Sequence, residues 1–172
     1  MMTMRMRLLG VHALLLLSCV VFLSACGSDD SPTQAAGSGS ISAVIGGQAW
    51  SANTPFASAQ HNVSGQVFTL NAVDPTATYG MAITLGEFTG AGTYEIRPGF
   101  PLRLAVVNLG ATPGWGTEFA AAPGVISITT LTESRAQGTF SFTADPGPNS
   151  SVTGTLVVEQ GQFDVPVFRV GG

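Results

Sequence analysis

From Ile41 onward, apolar and polar residues alternate with a period of two, and Gly, Pro, Asn and Asp punctuate the alternation every eight to twelve residues or so. This pattern predicts many short antiparallel strands and no helix. Ile41 to Ile45 and Gln48 to Ala52 flank Gly46-Gly47, a two-residue hairpin turn in which glycine permits positive φ, with Trp50 as the inward anchor. Phe68, Leu70 and Ala72 share one face of the next clear strand, which Asp74-Pro75 ends. Met81, Ile83 and Leu85 repeat the alternation, and Tyr94 and Ile96 follow Gly90 and Gly92. The nearly continuous apolar run from Leu102 to Leu109 predicts a central strand covered on both faces.

The C-terminal part is the most regular. Ile126 and Ile128, then Phe140 and Phe142, then Leu156 to Val158 and Phe163 to Val170 mark further strands, and Pro166, which lacks a ladder donor, predicts an edge position for the last of them. About ten short strands without crossover helices define an all-β domain, an antiparallel β-sandwich with a partly open β-barrel as the alternative.

The chain preceding this domain has a different pattern. Arg5 and Arg7 form a positive start, Leu8 to Phe22 is an almost unbroken apolar run, and Leu23-Ser24-Ala25-Cys26 resembles the bacterial lipobox. In that motif the signal peptidase cuts between the residues matching Ala25 and Cys26, and the cysteine carries the lipid. Cys19, followed by Val20-Val21-Phe22-Leu23 instead of a polar stretch, belongs to the discarded segment. An uncleaved span is the competing reading, but Gly27-Ser28-Asp29-Asp30 breaks the apolar run. Residues 1–25 thus read as a lipoprotein signal peptide, 26–40 as a lipidated cysteine and flexible tether, and 41–172 as one domain. Gly27 to Ser40 has no large apolar residue, and as a flexible coil it reaches ~20 Å. Gly27 after the cysteine resembles the pattern sorted to the outer membrane, facing either the periplasm or the cell surface.

Processing leaves four arginines against ten acids, a net charge of −6, with no lysine anywhere in the chain. That balance argues against a nucleic-acid partner, whose binders cluster Lys and Arg on phosphates. With Cys19 removed and Cys26 acylated there is no disulfide, so the core alone must hold the domain.

Catalytic equipment is sparse. His61, the one histidine after the signal peptide, sits where a strand runs into the turn Asn62-Val63-Ser64-Gly65, and there is no Gly-x-Ser-x-Gly elbow to supply a nucleophile. Zinc would need several His or Cys ligands, and a Walker loop would need a lysine. Glu87, Glu95, Glu118, Glu133, Glu159 and Asp164 are scattered as surface acids are, and Asp145-Pro146-Gly147-Pro148-Asn149-Ser150 reads as a Pro/Gly hairpin more than as a calcium loop. No metal or other cofactor is implied. The binding candidates are Trp115, an aromatic residue among the glycines of Gly110 to Glu118 that, if buried, instead caps the end of the sandwich, the reading favoured for a large aromatic, and Arg97 and Arg103, which flank Pro98-Gly99-Phe100-Pro101.

Three stretches together resemble the DUF6252 group of bacterial lipoprotein domains. They are Ile41 to Trp50, like its opening hairpin; Gly92-Thr93-Tyr94; and Gly138-Thr139-Phe140-Ser141-Phe142-Thr143-Ala144 followed by Val157 to Val165, like its closing strands. The resemblance implies an exported, lipid-anchored all-β domain and assigns no activity. The sequence therefore points to a non-enzymatic envelope lipoprotein, a binding or structural domain that meets an envelope protein or glycan through loops at one end. The alternative is a carrier of a small apolar ligand inside a barrel.

Overall fold

The computed structural model describes residues 38–76, 78–99 and 101–171; the signal-peptide and lipidation sites at Ala25 and Cys26, and most of the tether, lie outside the described residues. Eleven strands form: β1 (Ser40–Ile45), β2 (Gln48–Asn53), β3 (Ala57–Asn62), β4 (Val67–Val73), β5 (Tyr79–Leu85), β6 (Gly92–Ile96), β7 (Arg103–Leu109), β8 (Thr112–Gly116), β9 (Gly124–Leu131), β10 (Arg135–Pro146) and β11 (Leu156–Val170). The one helical turn among the described residues is the 3₁₀ segment Thr117–Phe119. The first layer runs β2-β1-β11-β10-β9-β6 and the second β3-β4-β5-β7-β8. All pairings are antiparallel except β11 with β3.

The all-β sandwich expected from the alternation is present, with its corners hydrogen-bonded. β10 pairs with β9 and β11 in the first layer, then its tip, Asp145 and Pro146, pairs with Gly116 and Trp115 of β8 in the second. β11 lies between β1 and β10, then continues as Val167 to Val170 beside β3. The two layers are thus parts of one continuous eleven-stranded sheet rather than a clean barrel. A single apolar core fills the space between them, with Ile41, Phe68, Ile83, Ile96, Ile126 and Val165 wholly buried.

Two sequence expectations need correction here. Pro166 does not mark an edge strand, because β11 is the most paired strand of the molecule. The proline sits where the strand passes from one layer to the other, and Val167 N–H donates to Ser134 across the corner at 2.9 Å, so the missing donor falls where the ladder changes partners. The apolar segments 156–158 and 163–170 are likewise one strand, interrupted by a bulge at Gln160 with φ 53°. β7 is central in its layer, as its apolar run predicts, but it is not covered on both faces: Ala105 and Val107 are buried while Leu104 and Val106 are only half-buried.

Local chemistry explains the strongest sequence signals. Gly46 and Gly47 turn the β1–β2 hairpin at φ 57° and 81°, as that two-residue loop requires. On the inner face of β10 and β11, Gly138 lies opposite Phe163 and Phe140 opposite Gly161. Each ring covers the other strand's glycine, and the two rings sit 6.5 Å apart. A Cβ on Gly161 would stand 2.5 Å from both the Phe140 ring and the Phe140 carbonyl oxygen, and one on Gly138 would stand 2.6 Å from the Phe163 ring and closer still to the Ser127 carbonyl oxygen of β9. The Gly-x-Phe spacing on both strands is therefore a packing requirement.

Asp74 joins the two layers at the β4–β5 turn. Its carboxylate accepts hydrogen bonds from Trp50 Nε1 of β2 at 3.1 Å, from Thr76 Oγ1 at 2.6 Å, and from the backbone N–H groups of Thr76, Thr78 and Tyr79 at 2.8, 3.1 and 2.8 Å. Burial is the largest influence and disfavours the charge, but the bonds from Thr76, Tyr79, Thr78 and Trp50 outweigh it together, and the pKa falls from 3.8 to about 2. Trp50, the inward anchor expected from sequence, is 8% exposed.

Two predictions follow from these contacts. Asp74→Asn removes the charge from a five-donor site and should cost about 2–3 kcal/mol. Because the folded carboxyl is depressed, its stabilisation is full above the ordinary pKa near 3.8 and is lost as pH falls toward 2. Chemical denaturation between pH 2 and 5 should accordingly show a steeper loss in the parent than in the variant. Gly161→Ala should destabilise by about 1–3 kcal/mol through the Phe140 clash, lowering Tm by several degrees per kcal/mol in calorimetry, with Phe140→Leu partly restoring it.

Candidate functional site

The arginines singled out in the sequence come together, and the tryptophan does not join them. Arg97, just past β6, makes a backbone bridge to Arg103 at the start of β7, with the Arg97 N–H donating to the Arg103 carbonyl at 3.1 Å. Trp115 is not in a loop, as its glycine neighbours suggested; it lies in β8 opposite Val107, half-buried against the core. Its Nε1 donates to the Gly154 carbonyl at 2.8 Å, which ties β8 to the β10–β11 connection. Val107 lies four residue steps along β7 from Arg103, which is ~13 Å of strand. Trp115 therefore belongs to the other end of the layer.

The arginine end has a continuous construction. Along the second layer, Arg169 of β11 lies opposite His61 of β3, His61 opposite Phe68 of β4, Phe68 opposite Leu85 of β5, and Leu85 opposite Arg103 of β7. All five stand near strand ends, so the row forms a rim ~19 Å long at one strand spacing per step, with Phe68 and Leu85 buried in the core between its ends. Phe88, from the β5–β6 connection, is buried beneath it. Its ring centre lies 5.1 Å from His61, 4.9 Å from Phe68 and 5.4 Å from Tyr94. The Arg103 guanidinium stacks over Tyr94 at 5.3 Å, and its Nε donates to the Gly86 carbonyl at 3.3 Å.

Arginines are concentrated on this rim, with Glu87 of the β5–β6 connection and Glu95 of β6 beside them. Of the four arginines in the described residues, Arg97, Arg103 and Arg169 belong to it; Arg135 instead pairs with Asp164 and donates to the Ser38 carbonyl. Arg97 and Arg169 are exposed, and Arg97 meets Glu95 at 3.4 Å in an exposed pair worth little. Leu102 and Val63 on neighbouring connections and Val170 at the end of β11 add exposed apolar surface. His61 contributes no cation of its own at neutral pH, since burial and then the charge of Arg169 push its pKa below 6.5. Its Nδ1 is buried without a hydrogen-bond partner.

The arrangement offers guanidinium groups to an anion and no nucleophile poised against a base. Guanidinium forks match carboxylate, phosphate and sulfate, and an aromatic bed under one of them fixes its direction. Among the described residues no group of three His, Cys, Asp or Glu side chains is placed to hold a metal ion. His61 and Arg169 were missed as rim residues because their neighbourhood arises from a parallel pairing between distant segments, which alternation does not encode. Phe88, flanked by Glu87 and Thr89, carried no period-two signal.

Comparison with protein-family models, with curated proteins and with solved structures finds no match to this chain. The residues define a class by themselves: an eleven-stranded mixed β-sandwich with a cationic, aromatic-backed rim.

The rim geometry makes His61 a reporter. In an NMR titration of residues 38–172, its imidazole should titrate below 6.5, and Arg169→Gln should move the value upward without restoring it fully, because burial is the larger cause. The associated stabilisation is complete above pH 6.5 and is lost as pH falls through the folded value, since the folded state resists protonation.

Proposed function

We propose that this chain is a lipid-anchored bacterial envelope protein whose β-domain binds, without catalysis, an acidic envelope component through the Arg97–Arg103–Arg169 rim. The observation that carries the reading is the placement of three of the domain's four arginines along one rim of an acidic chain. Supporting it, several other charges serve the fold: buried Asp74 ties two layers, half-exposed Asp164 pairs with Arg135, and Asp145 accepts from Thr155 Oγ1 at 2.5 Å. The anchor rests on the lipobox ending at Cys26 and on the likeness of the hairpin and closing strands to the DUF6252 group. The ligand is an anionic glycan or an acidic protein surface of the outer membrane.

A core filled through both layers favours a surface binder over a carrier of apolar cargo. Retention of residues 38–172 on immobilised dextran sulfate and on lipopolysaccharide, with neutral dextran as control, tests the proposal. Binding should weaken as salt rises, and the double change Arg97→Gln with Arg169→Gln should lower affinity about tenfold or more, since charge-assisted hydrogen bonds each contribute about 1.5–3 kcal/mol. Trp115→Ala should leave it unchanged. Equal retention on neutral dextran, or an unaffected double variant, would sink the reading.

A further inference from the structure

The first layer ends in two edge strands of opposite character. β6 is guarded: it carries Glu95, it is followed by Arg97, Pro98 and the bridge to β7, and it is preceded by Gly90 and begun by Gly92 at φ 127° and 155°. β2 also follows two positive-φ glycines and is followed by Pro55, but it has neither a charge nor a bridge to a further strand. Gln48-Ala49-Trp50-Ser51-Ala52-Asn53 contains no charge and no proline, and it pairs with β1 over six consecutive positions without a bulge. Among the described residues β1 is its one strand neighbour.

The hairpin fixes which backbone groups are spent. With Gly46-Gly47 closing a two-residue turn, Ile45 and Gln48 form a hydrogen-bonded pair, and alternation makes Ala43 with Trp50 and Ile41 with Ala52 the next ones. The N–H groups of Ala49, Ser51 and Asn53 therefore point away from β1, along an exposed stretch of chain. A groove of about 330 Å³ runs between β2 and the β4–β5 turn, walled by Gln48, Trp50, Pro75 and Tyr79.

Charge selects the occupant. No Asp, Glu, Lys or Arg occurs from Ser31 to Val73, a stretch that includes β1, β2 and β3, whereas the processed chain as a whole carries −6. Two copies repel over the rest of their surfaces but meet at this flank with no like charges opposed. An uncharged, bulge-free strand is also self-complementary, which a two-fold contact requires.

We propose that β2 is a self-association edge, at which two copies pair antiparallel about a two-fold axis. Side-chain parity requires partner positions to share a face, and centring the pair on Ser51 sets Ser51 opposite its own copy, Trp50 opposite Ala52 and Ala49 opposite Asn53. The two first layers then join into one sheet. A six-residue edge buries less than the roughly 1,200 Å² of standard specific interfaces, so the association is weak and concentration-dependent.

The test uses residues 38–172, which hold all eleven strands and the whole core and contain no cysteine. Sedimentation equilibrium up to millimolar protein should show a dimer, and Ser51→Lys, which opposes two like charges at the axis on the exposed face, should abolish it with Tm unchanged. Under mild oxidation Ser51→Cys should cross-link at least tenfold faster than Gln60→Cys, an exposed control on the second layer. A parent that stays monomeric across the range, a dimer indifferent to Ser51→Lys, or equal cross-linking of the two cysteine variants would overturn the proposal. The monomeric outcome would assign the edge instead to an extended segment of another protein.

Discussion

The close approach of β10 and β11 is the constraint on which the rest depends. Phe140 covers Gly161 and Phe163 covers Gly138, so each ring occupies the space that a Cβ on the facing strand would need. That contact lets two long strands run side by side through the middle of the first layer. Their far ends then reach the second layer, β10 at Asp145 and Pro146 and β11 from Val167 onward. The bulge at Gln160 bends β11 on its way, and Pro166 sits at the crossing. Without that path Arg169 would not lie beside His61. The rim is thus a consequence of packing six to eight residues away along the same strand.

Polar burial follows a complementary logic. The domain buries one carboxylate deeply, at Asp74, and surrounds it with five donors drawn from two layers. Burial alone would push such a group toward its neutral form, and the donors reverse the sign. An acid so occupied has no lone pair left to serve a proton-transfer reaction. The same accounting at Asp164, matched to Arg135, leaves the exposed arginines of the rim as the cations with the most freedom to meet a ligand.

Much of this fold was legible wherever a residue's environment is set by its own strand. The Gly46-Gly47 turn, the inward Trp50, and the buried alternations at Phe68 to Ala72, Met81 to Leu85 and Phe140 to Phe142 depend on local periodicity and turn chemistry. What was not legible depends on which strands become neighbours. Pro166 read as an edge because a proline usually is one, yet here a strand that changes layers uses it at a corner. Trp115 read as a loop residue because Gly114 and Gly116 flank it. In the sheet those glycines allow close packing instead, since a Cβ on Gly114 would stand 2.3 Å from the Val107 carbonyl oxygen. The pairing of Arg97 with Arg103 was suggested by their flanking of one turn, whereas Arg169 joins them through three intervening strands.

The length of the rim bears on what kind of acid it suits. Arg169 and Arg103 lie ~19 Å apart by strand count, more than twice the ~8 Å screening length at physiological salt. Their fields therefore do not add at a single point, and one small anion would engage one guanidinium with the affinity of an ordinary surface pair. A chain of regularly spaced acidic groups meets both ends at once, so that the second contact forms at high effective concentration. Phe88 beneath His61, Phe68 and Tyr94 keeps the span between them rigid, which reduces the ordering cost of such a two-point contact. Under the proposed binding role, this spacing suits repetition along a polymer rather than charge at one position.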